Sequence, residues 1–173
     1  MPSTYTLISS ATATGSETTI SFTAIPQTYT DLVLRVSYRG SNASAWAGNL
    51  SIRPNGATGT NNTYLSGTGA AAASYRVGQW YALIDSTLTY LANSAGNTSN
   101  TFSSIEYYIP NYTVSQARQV SGFAVGEQNA TTAYMSVTAN YYTSTTAITQ
   151  LDVRDLNTMG ANSTFYLYGI KNS

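Results

Sequence analysis

Side chains that could carry out acid–base or nucleophilic chemistry are scarce in this sequence. Among its 173 residues there is no histidine and no cysteine. Those two absences remove the Ser/His/Asp and Cys/His nucleophile systems and every zinc site built on imidazole or thiolate ligands. Asp and Glu together number only seven. We therefore expect a protein that is not an enzyme of a common acid–base or thiol type and that carries no cofactor.

Asp152 and Asp155 are the closest pair of acids that could act together. Glycoside hydrolysis needs two facing carboxylates, but residues three apart on a strand point to opposite faces. The two could converge only through the turn that follows, where Asn157 would add a third oxygen for a calcium ion. Asp and Asn at such positions more commonly cap the turn. We expect capping here, and no metal.

Charged residues make up 8% of the chain, against roughly a quarter in ordinary soluble proteins, and the formal net charge is zero. No basic cluster marks a nucleic-acid surface or an anionic membrane surface, so neither is expected as a partner. A net charge near zero favours association between copies. The first residues, 1–5, lack the features of a secretion signal, which predicts synthesis in a cytoplasm.

Alternation with a period of two residues runs through the sequence and predicts antiparallel strands. It is clearest in Asp31 to Arg39, where Leu32, Leu34, Val36 and Tyr38 share one face. The predicted strands are 18–24, 31–39, 49–53, 80–85, 87–91, 102–109, 120–127, 133–142, 147–155 and 164–170. No amphipathic helix and no fixed-period repeat is found. The pattern predicts an all-β protein, a jelly-roll-like antiparallel β-sandwich forming a single domain over 1–173.

One stretch interrupts the alternation. After Pro54 the sequence is rich in Gly, Asn, Thr and Ala, a stretch too irregular for a strand and too rich in glycine for a stable helix. We predict a long irregular surface loop around 55–79.

Tyrosine is unusually frequent, with 15 in the chain. Alternation that assigns Met135, Val137 and Tyr141 to the interior places several tyrosines on outward faces. The high β-propensity of tyrosine alone would explain their number. The alternative is that they form subunit contacts, because tyrosine suits the wet rim of an interface. The predicted interface residues are Tyr108, Tyr134, Tyr142, Tyr166 and Tyr168.

A second surface would suit carbohydrate. Trp46, Tyr64, Trp80 and Tyr81 lie near the predicted loop and could form a glycan-stacking platform if they converge. Otherwise the two tryptophans close the ends of the sandwich.

Three segments resemble a known group of proteins. The run 20–35, with its strand-Pro-Gln-x-Tyr-x-Asp-strand pattern, and the closing segments 148–153 and 165–170 resemble small Ser/Thr/Asn-rich bacteriophage virion proteins, many from phages of aquatic bacteria and cyanobacteria. Residues 55–100 have no counterpart in the resemblance. It implies a jelly-roll module on the virion surface and carries over no active-site residue.

Two functions follow as expectations from this resemblance and from the composition. The first is a capsid decoration (cement) protein, a trimer that binds neighbouring copies of the major capsid protein and stabilises the phage head. The alternative is a receptor- or carbohydrate-binding module of a phage tail fibre.

Overall fold

The computed structural model describes residues 4–43, 48–57, 61–68, 71–78, 88–128 and 132–171. Side chains are described for these ranges except at 48–49, 61–68, 71–78, 88–91 and 128.

Twelve strands lie within the described residues and form two antiparallel sheets, which confirms the all-β prediction. The larger sheet has eight strands in the order β1-β12-β3-β8-β9-β10-β5-β6, and the smaller has four in the order β2-β11-β4-β7. The strands are β1 (Tyr5–Thr12), β2 (Thr19–Phe22), β3 (Asp31–Tyr38), β4 (Gly48–Pro54), β5 (Asn61–Thr68), β6 (Ala71–Gly78), β7 (Leu88–Ala92), β8 (Ser103–Ile109), β9 (Arg118–Gln128), β10 (Thr132–Tyr142), β11 (Leu151–Asp155) and β12 (Thr164–Ile170).

The strand order is that of a jelly roll with additions. A jelly roll divides eight strands between two sheets, one ordered first-eighth-third-sixth and the other second-seventh-fourth-fifth. Taking β2 as the first strand and β11 as the eighth gives the small sheet this order. The large sheet follows it as well, with the meander β8-β9-β10 in place of the seventh strand. β12 and β1 extend the large sheet beyond β3.

One hydrophobic core joins the two sheets. Leu34, Tyr107 and Phe165 of the large sheet are fully buried in the same cluster as Leu50 and Val153 of the small sheet. The Tyr107 hydroxyl donates to the carbonyl of Leu50 across the gap, at 3.2 Å. Burying apolar side chains from two facing sheets is the main stabilising contribution in such a sandwich.

The prediction of a long irregular loop around 55–79 is wrong over most of that range. Strands β5 and β6 occupy 61–68 and 71–78 and form a hairpin, and β5 pairs with β10 along its whole length. Backbone N–H and C=O groups supply the pairing, so the edge of β10 can hold a strand whose side chains show no alternation.

Other parts of the strand prediction differ as well, and the predicted strand 80–85 lies outside the described residues. Strand β1 (Tyr5–Thr12) was missed, and residues 147–150 are not part of β11. The side chain of Asn55 explains the second difference. Its Oδ1 accepts the backbone N–H groups of Thr149 and Gln150, and its Nδ2 donates to the carbonyl of Ala147. This side chain takes the hydrogen bonds that a neighbouring strand would otherwise make.

Candidate functional site

The outer face of the large sheet carries the exposed side chains with the most unusual chemistry. Register places Tyr166, Arg35, Glu106, Phe123 and Val137 directly opposite one another on the consecutive strands β12, β3, β8, β9 and β10. Directly paired side chains on one face lie about 5 Å apart. The face therefore changes from polar and aromatic on β12, β3 and β8 to apolar on β9 and β10.

The apolar half is a continuous surface, here called the apolar strip. It consists of Phe123 and Val125 on β9 and Met135, Val137 and Tyr141 on β10, which are 46%, 36%, 43%, 39% and 42% exposed. Val137 pairs with Phe123, and Met135 pairs with Val125. The other outward positions of these strands include Ser121 and Ala139, which are small and uncharged. Contiguous apolar surface of this kind marks interaction sites in soluble proteins.

The orientation predicted for β10 is wrong. Tyr134 and Tyr142, expected to point outward, are 4% and 3% exposed, while Met135, Val137 and Tyr141, expected in the interior, face outward. Because the period of a strand is two, one error of phase moves every side chain to the other face. The premise for Tyr134 and Tyr142 as subunit contacts therefore fails.

The small residues of β9 leave room in the interior for side chains of the strands on either side, β8 and β10. Gly122 and Ala124 point into the sandwich and leave space for large rings from neighbouring strands. A Cβ on Gly122 would lie 3.0 Å from the Tyr107 ring and 2.4 Å from Thr138 Oγ1, closer than packing allows. The hydroxyl of Tyr142 reaches across to the carbonyl of Pro54, at 3.3 Å. The rings fill the interior, and hydrogen bonds satisfy their polar ends.

The polar half of the face is organised around Arg35. Its guanidinium carbon lies 5.3 Å from the ring centre of Tyr5 and 6.0 Å from that of Tyr168. Its Nε pairs with a carboxylate oxygen of Glu106 at 2.9 Å. Tyr166, on the other side of Arg35, is 38% exposed. The outward orientation predicted for Tyr166 and Tyr168 is correct, and their role as contacts stays a prediction.

Tyr108, the remaining predicted contact, is half-buried and engaged within the protein. Its hydroxyl donates to Asp31 Oδ2 at 2.7 Å, and the N–H of Asn111 donates to Asp31 Oδ1 at 2.8 Å. The hydrogen bond to Asp31, and then burial and the charge of Asp31, raise the pKa of Tyr108 to about 12. Asp31 itself is 3% exposed, so this pair closes the end of the sheet and leaves the Tyr108 hydroxyl little freedom to bind a partner.

The predicted glycan platform falls outside what the structure describes. Trp46, Trp80 and Tyr81 are not among the described residues, and Tyr64 lies on β5 in a part where only the backbone is described. Whether the four converge stays a prediction.

The acidic pair near the end of β11 accepts hydrogen bonds from within the chain. Asp155 Oδ1 accepts the N–H of Asn157, which confirms the predicted turn cap, and Asp152 accepts the side-chain amide of Gln150. No group of three or more potential metal-binding acids is found among the described residues. The second oxygen of Asp155 accepts the hydroxyl of Tyr38 in the core. Asp155 thus joins the two sheets and is 1% exposed.

The burial of Asp155 predicts that folding stability depends on pH. Loss of hydration raises the pKa of Asp155 above its ordinary value of 3.8, against the opposing hydrogen bonds from Asn157 and Leu156. The folded chain holds this proton more tightly than the unfolded chain, so the contribution of Asp155 to stability is complete below that value and falls as pH rises through the folded pKa. Asn at this position cannot titrate. Urea unfolding of wild type and Asp155→Asn between pH 3 and pH 7 should show the variant gaining stability relative to wild type as pH rises.

Comparing wild type with Asp155→Asn cancels the effect of every other titrating group, including Glu17, on the pH dependence of stability. The hydroxyl and backbone N–H of Thr14 and neighbouring N–H groups lower the pKa of Glu17 to about 2, so its contribution is lost only as pH falls below 4.5. Asp155→Asn can lose one hydrogen bond, but that loss is a constant offset. A difference in stability that does not change with pH would contradict the prediction.

Comparison with known protein families, with curated proteins and with solved structures finds no match for this chain. Within the described ranges there is no helix capable of crossing a lipid bilayer. The outer face of the large sheet is therefore the surface from which a function is inferred. Its most distinctive feature, the apolar strip, was missed from the sequence. The signal that could have revealed it is the alternation of Gly122, Ala124 and Gly126 on β9, which leaves Phe123 and Val125 as the large apolar residues on that strand's second half.

Proposed function

We propose that this protein is a structural assembly module, and that it serves as a phage capsid decoration protein whose copies associate through the apolar strip. The observation that carries the proposal is the inverted strand β10, which keeps Ser136 and Thr138 inside and exposes Met135 and Val137. Covering the exposed apolar residues of a strand with another surface lowers the free energy, which favours association. The resemblance to small phage virion proteins supplies the biological setting.

A second copy of this chain is the occupant that suits the strip best. The outward positions of β9 and β10 from Gln119 to Val125 and from Ala133 to Tyr141 carry no charge, so a charged partner surface would gain nothing there. The net charge of the chain is zero, and copies do not repel one another at long range.

Three copies with their strips facing a common axis would give the trimer expected from the sequence. Binding of such a trimer to neighbouring major capsid proteins stabilises the head by mass action, because the ligand binds the assembled shell and not its separated parts. Three equivalent contacts multiply a modest affinity. This mechanism needs no catalytic residue.

The proposal is tested by mixing purified protein with decoration-free capsids of the phage that encodes it, and by measuring copies per particle by gel densitometry. We expect saturable binding and a copy number in fixed proportion to the major capsid protein. A few copies per particle, confined to the tail, would contradict the proposal and favour the alternative of a tail-fibre module. Absence from the particle would remove both.

A further inference from the structure

An open groove of about 410 Å³ crosses the polar half of the outer face, between β12 and β8. Register places Tyr166, Arg35 and Glu106 in one row across three strands. Ser37 and Ser104 are paired in the next row. The groove exists because short serine side chains lie beside a row of long ones. Its volume falls within the range of about 300 to 1,000 Å³ that is typical of small-ligand sites.

The polar groups that line this groove have unused hydrogen-bonding capacity. Arg35 uses its Nε for Glu106, and its two terminal nitrogens make no hydrogen bond within the described part of the chain. The same holds, among the described residues, for Glu106 Oε1, the Tyr166 hydroxyl and the hydroxyls of Ser37 and Ser104. The groove thus offers both donors and acceptors, at one place and on rigid strands.

We infer that this groove is a binding site for one unit of a neutral saccharide. The exposed Tyr166 ring offers an apolar face for the C–H surface of a pyranose. The free guanidinium nitrogens and carboxylate oxygen can take adjacent sugar hydroxyls, which act as both donors and acceptors. Neutrality follows from the pairing of Arg35 with Glu106, because an anionic ligand would meet the half-exposed carboxylate and a cationic one the guanidinium.

Preorganisation supports the inference. Arg35 lies against the rings of Tyr5 and Tyr168, which stand edge to face with centres 6.2 Å apart, and it is held as well by its ion pair with Glu106. A guanidinium fixed in this way loses little further freedom on binding a ligand. Binding of a single sugar unit in a shallow groove predicts a dissociation constant on the order of 1 mM. Several copies on one particle would lower the apparent dissociation constant through avidity. The groove lies outside the half-sheet assigned to assembly, and this inference goes beyond the proposed function.

The first experiment screens the full chain on an array of neutral oligosaccharides that includes glucans, mannans, galactans and N-acetylglucosamine oligomers. The best neutral probe is then titrated into ¹⁵N-labelled protein, with the dissociation constant measured by NMR. We expect the amide signals of Ser37 and Ser104 to shift. Tyr166→Ala should weaken binding at least tenfold, and Glu106→Gln, which keeps the shape of the side chain, should weaken it severalfold.

Leu156→Ala is the control, because this side chain is 54% exposed and lies in the turn after β11, outside both the groove and the apolar strip. Its dissociation constant should stay within twofold of wild type. Amide spectra of the three variants establish that each is folded. The inference is overturned if no neutral glycan binds, if only charged glycans bind, or if Tyr166→Ala binds as tightly as wild type. Because the titration measures single sites, these outcomes do not depend on whether the protein forms oligomers.

Discussion

Val137→Glu is expected to reduce the protein to its 18.4 kDa monomer. Val137 lies in the middle of the apolar strip, paired with Phe123 and 39% exposed, so the fold has no need of its side chain. Covering a new carboxylate with a second copy would desolvate a charge that has no partner. We expect a loss of about 3 kcal/mol in association, which is roughly a hundredfold weaker binding. Light scattering across a concentration series measures it.

Leu156→Glu is the matched control for this prediction. Leu156 is the most exposed of the large hydrophobic residues described, at 54%, and it lies in the turn after β11, away from the strip. The same change of an apolar side chain to an acid should leave the molecular mass unchanged. Urea unfolding should show both variants within about 1 kcal/mol of wild type, as expected for surface substitutions. If Leu156→Glu dissociates the oligomer as well, added charge and not the strip explains the effect.

Arg39→Met is expected to cause the largest loss of folding stability among the predictions made here. The guanidinium of Arg39 donates to four backbone carbonyls of the loop between β7 and β8: Thr98 at 2.7 Å, Thr101 at 3.0 Å, Asn97 at 3.1 Å and Ala95 at 3.3 Å. Methionine keeps much of the aliphatic stem but leaves these acceptors without their donor. Losing charged donors from partly buried acceptors predicts a decrease of about 3 kcal/mol in the free energy of unfolding.

Arg35→Met provides the comparison for Arg39. Arg35 also forms a polar contact, but its side chain and that of Glu106 are 54% and 47% exposed. Exposed ion pairs contribute at most about 1 kcal/mol. Urea unfolding of the two variants should therefore separate them clearly. Equal losses would show that Arg39 does not hold the loop. Arg39→Lys should lie between wild type and Arg39→Met, because one ammonium cannot reach all four carbonyls.

The alternation of the sequence predicted strand orientation best where the large apolar residues of a strand lie mainly on its core-facing side. In β3, Leu32, Leu34, Val36 and Tyr38 are all buried as the alternation predicts. In β12, Phe165 and Leu167 are buried and Tyr166 is exposed, again as predicted. Most large apolar side chains of these strands face the core, with buried Val33 of β3 as the outward exception, so hydrophobic periodicity reports their orientation directly.

The alternation led to a wrong prediction where a strand exposes apolar residues or buries polar ones, and where a strand has no alternation. On β10 the interior holds two tyrosine rings and small polar groups while Met135 and Val137 face outward, and the hydrophobicity of β10 alone does not reveal this orientation. Pairing of β5 with β10, and of β6 with β5, supplies these strands with partners that local propensity does not reveal. The groove between Tyr166 and Glu106 likewise depends on three strands distant in sequence, so only the register of the sheet brings its residues together.

Oxidative footprinting of Met135 tests most directly whether the apolar strip is covered in the working state. Met135 is 43% exposed in the single chain, and buried Met159, at 0%, serves as an unreactive internal reference. We predict that hydroxyl-radical oxidation of Met135 slows as protein concentration rises, in parallel with the molecular mass, while Met159 stays unreactive throughout. Oxidation of Met135 at the same rate in monomer and oligomer, or a protein that stays at 18.4 kDa at all concentrations, would contradict the account.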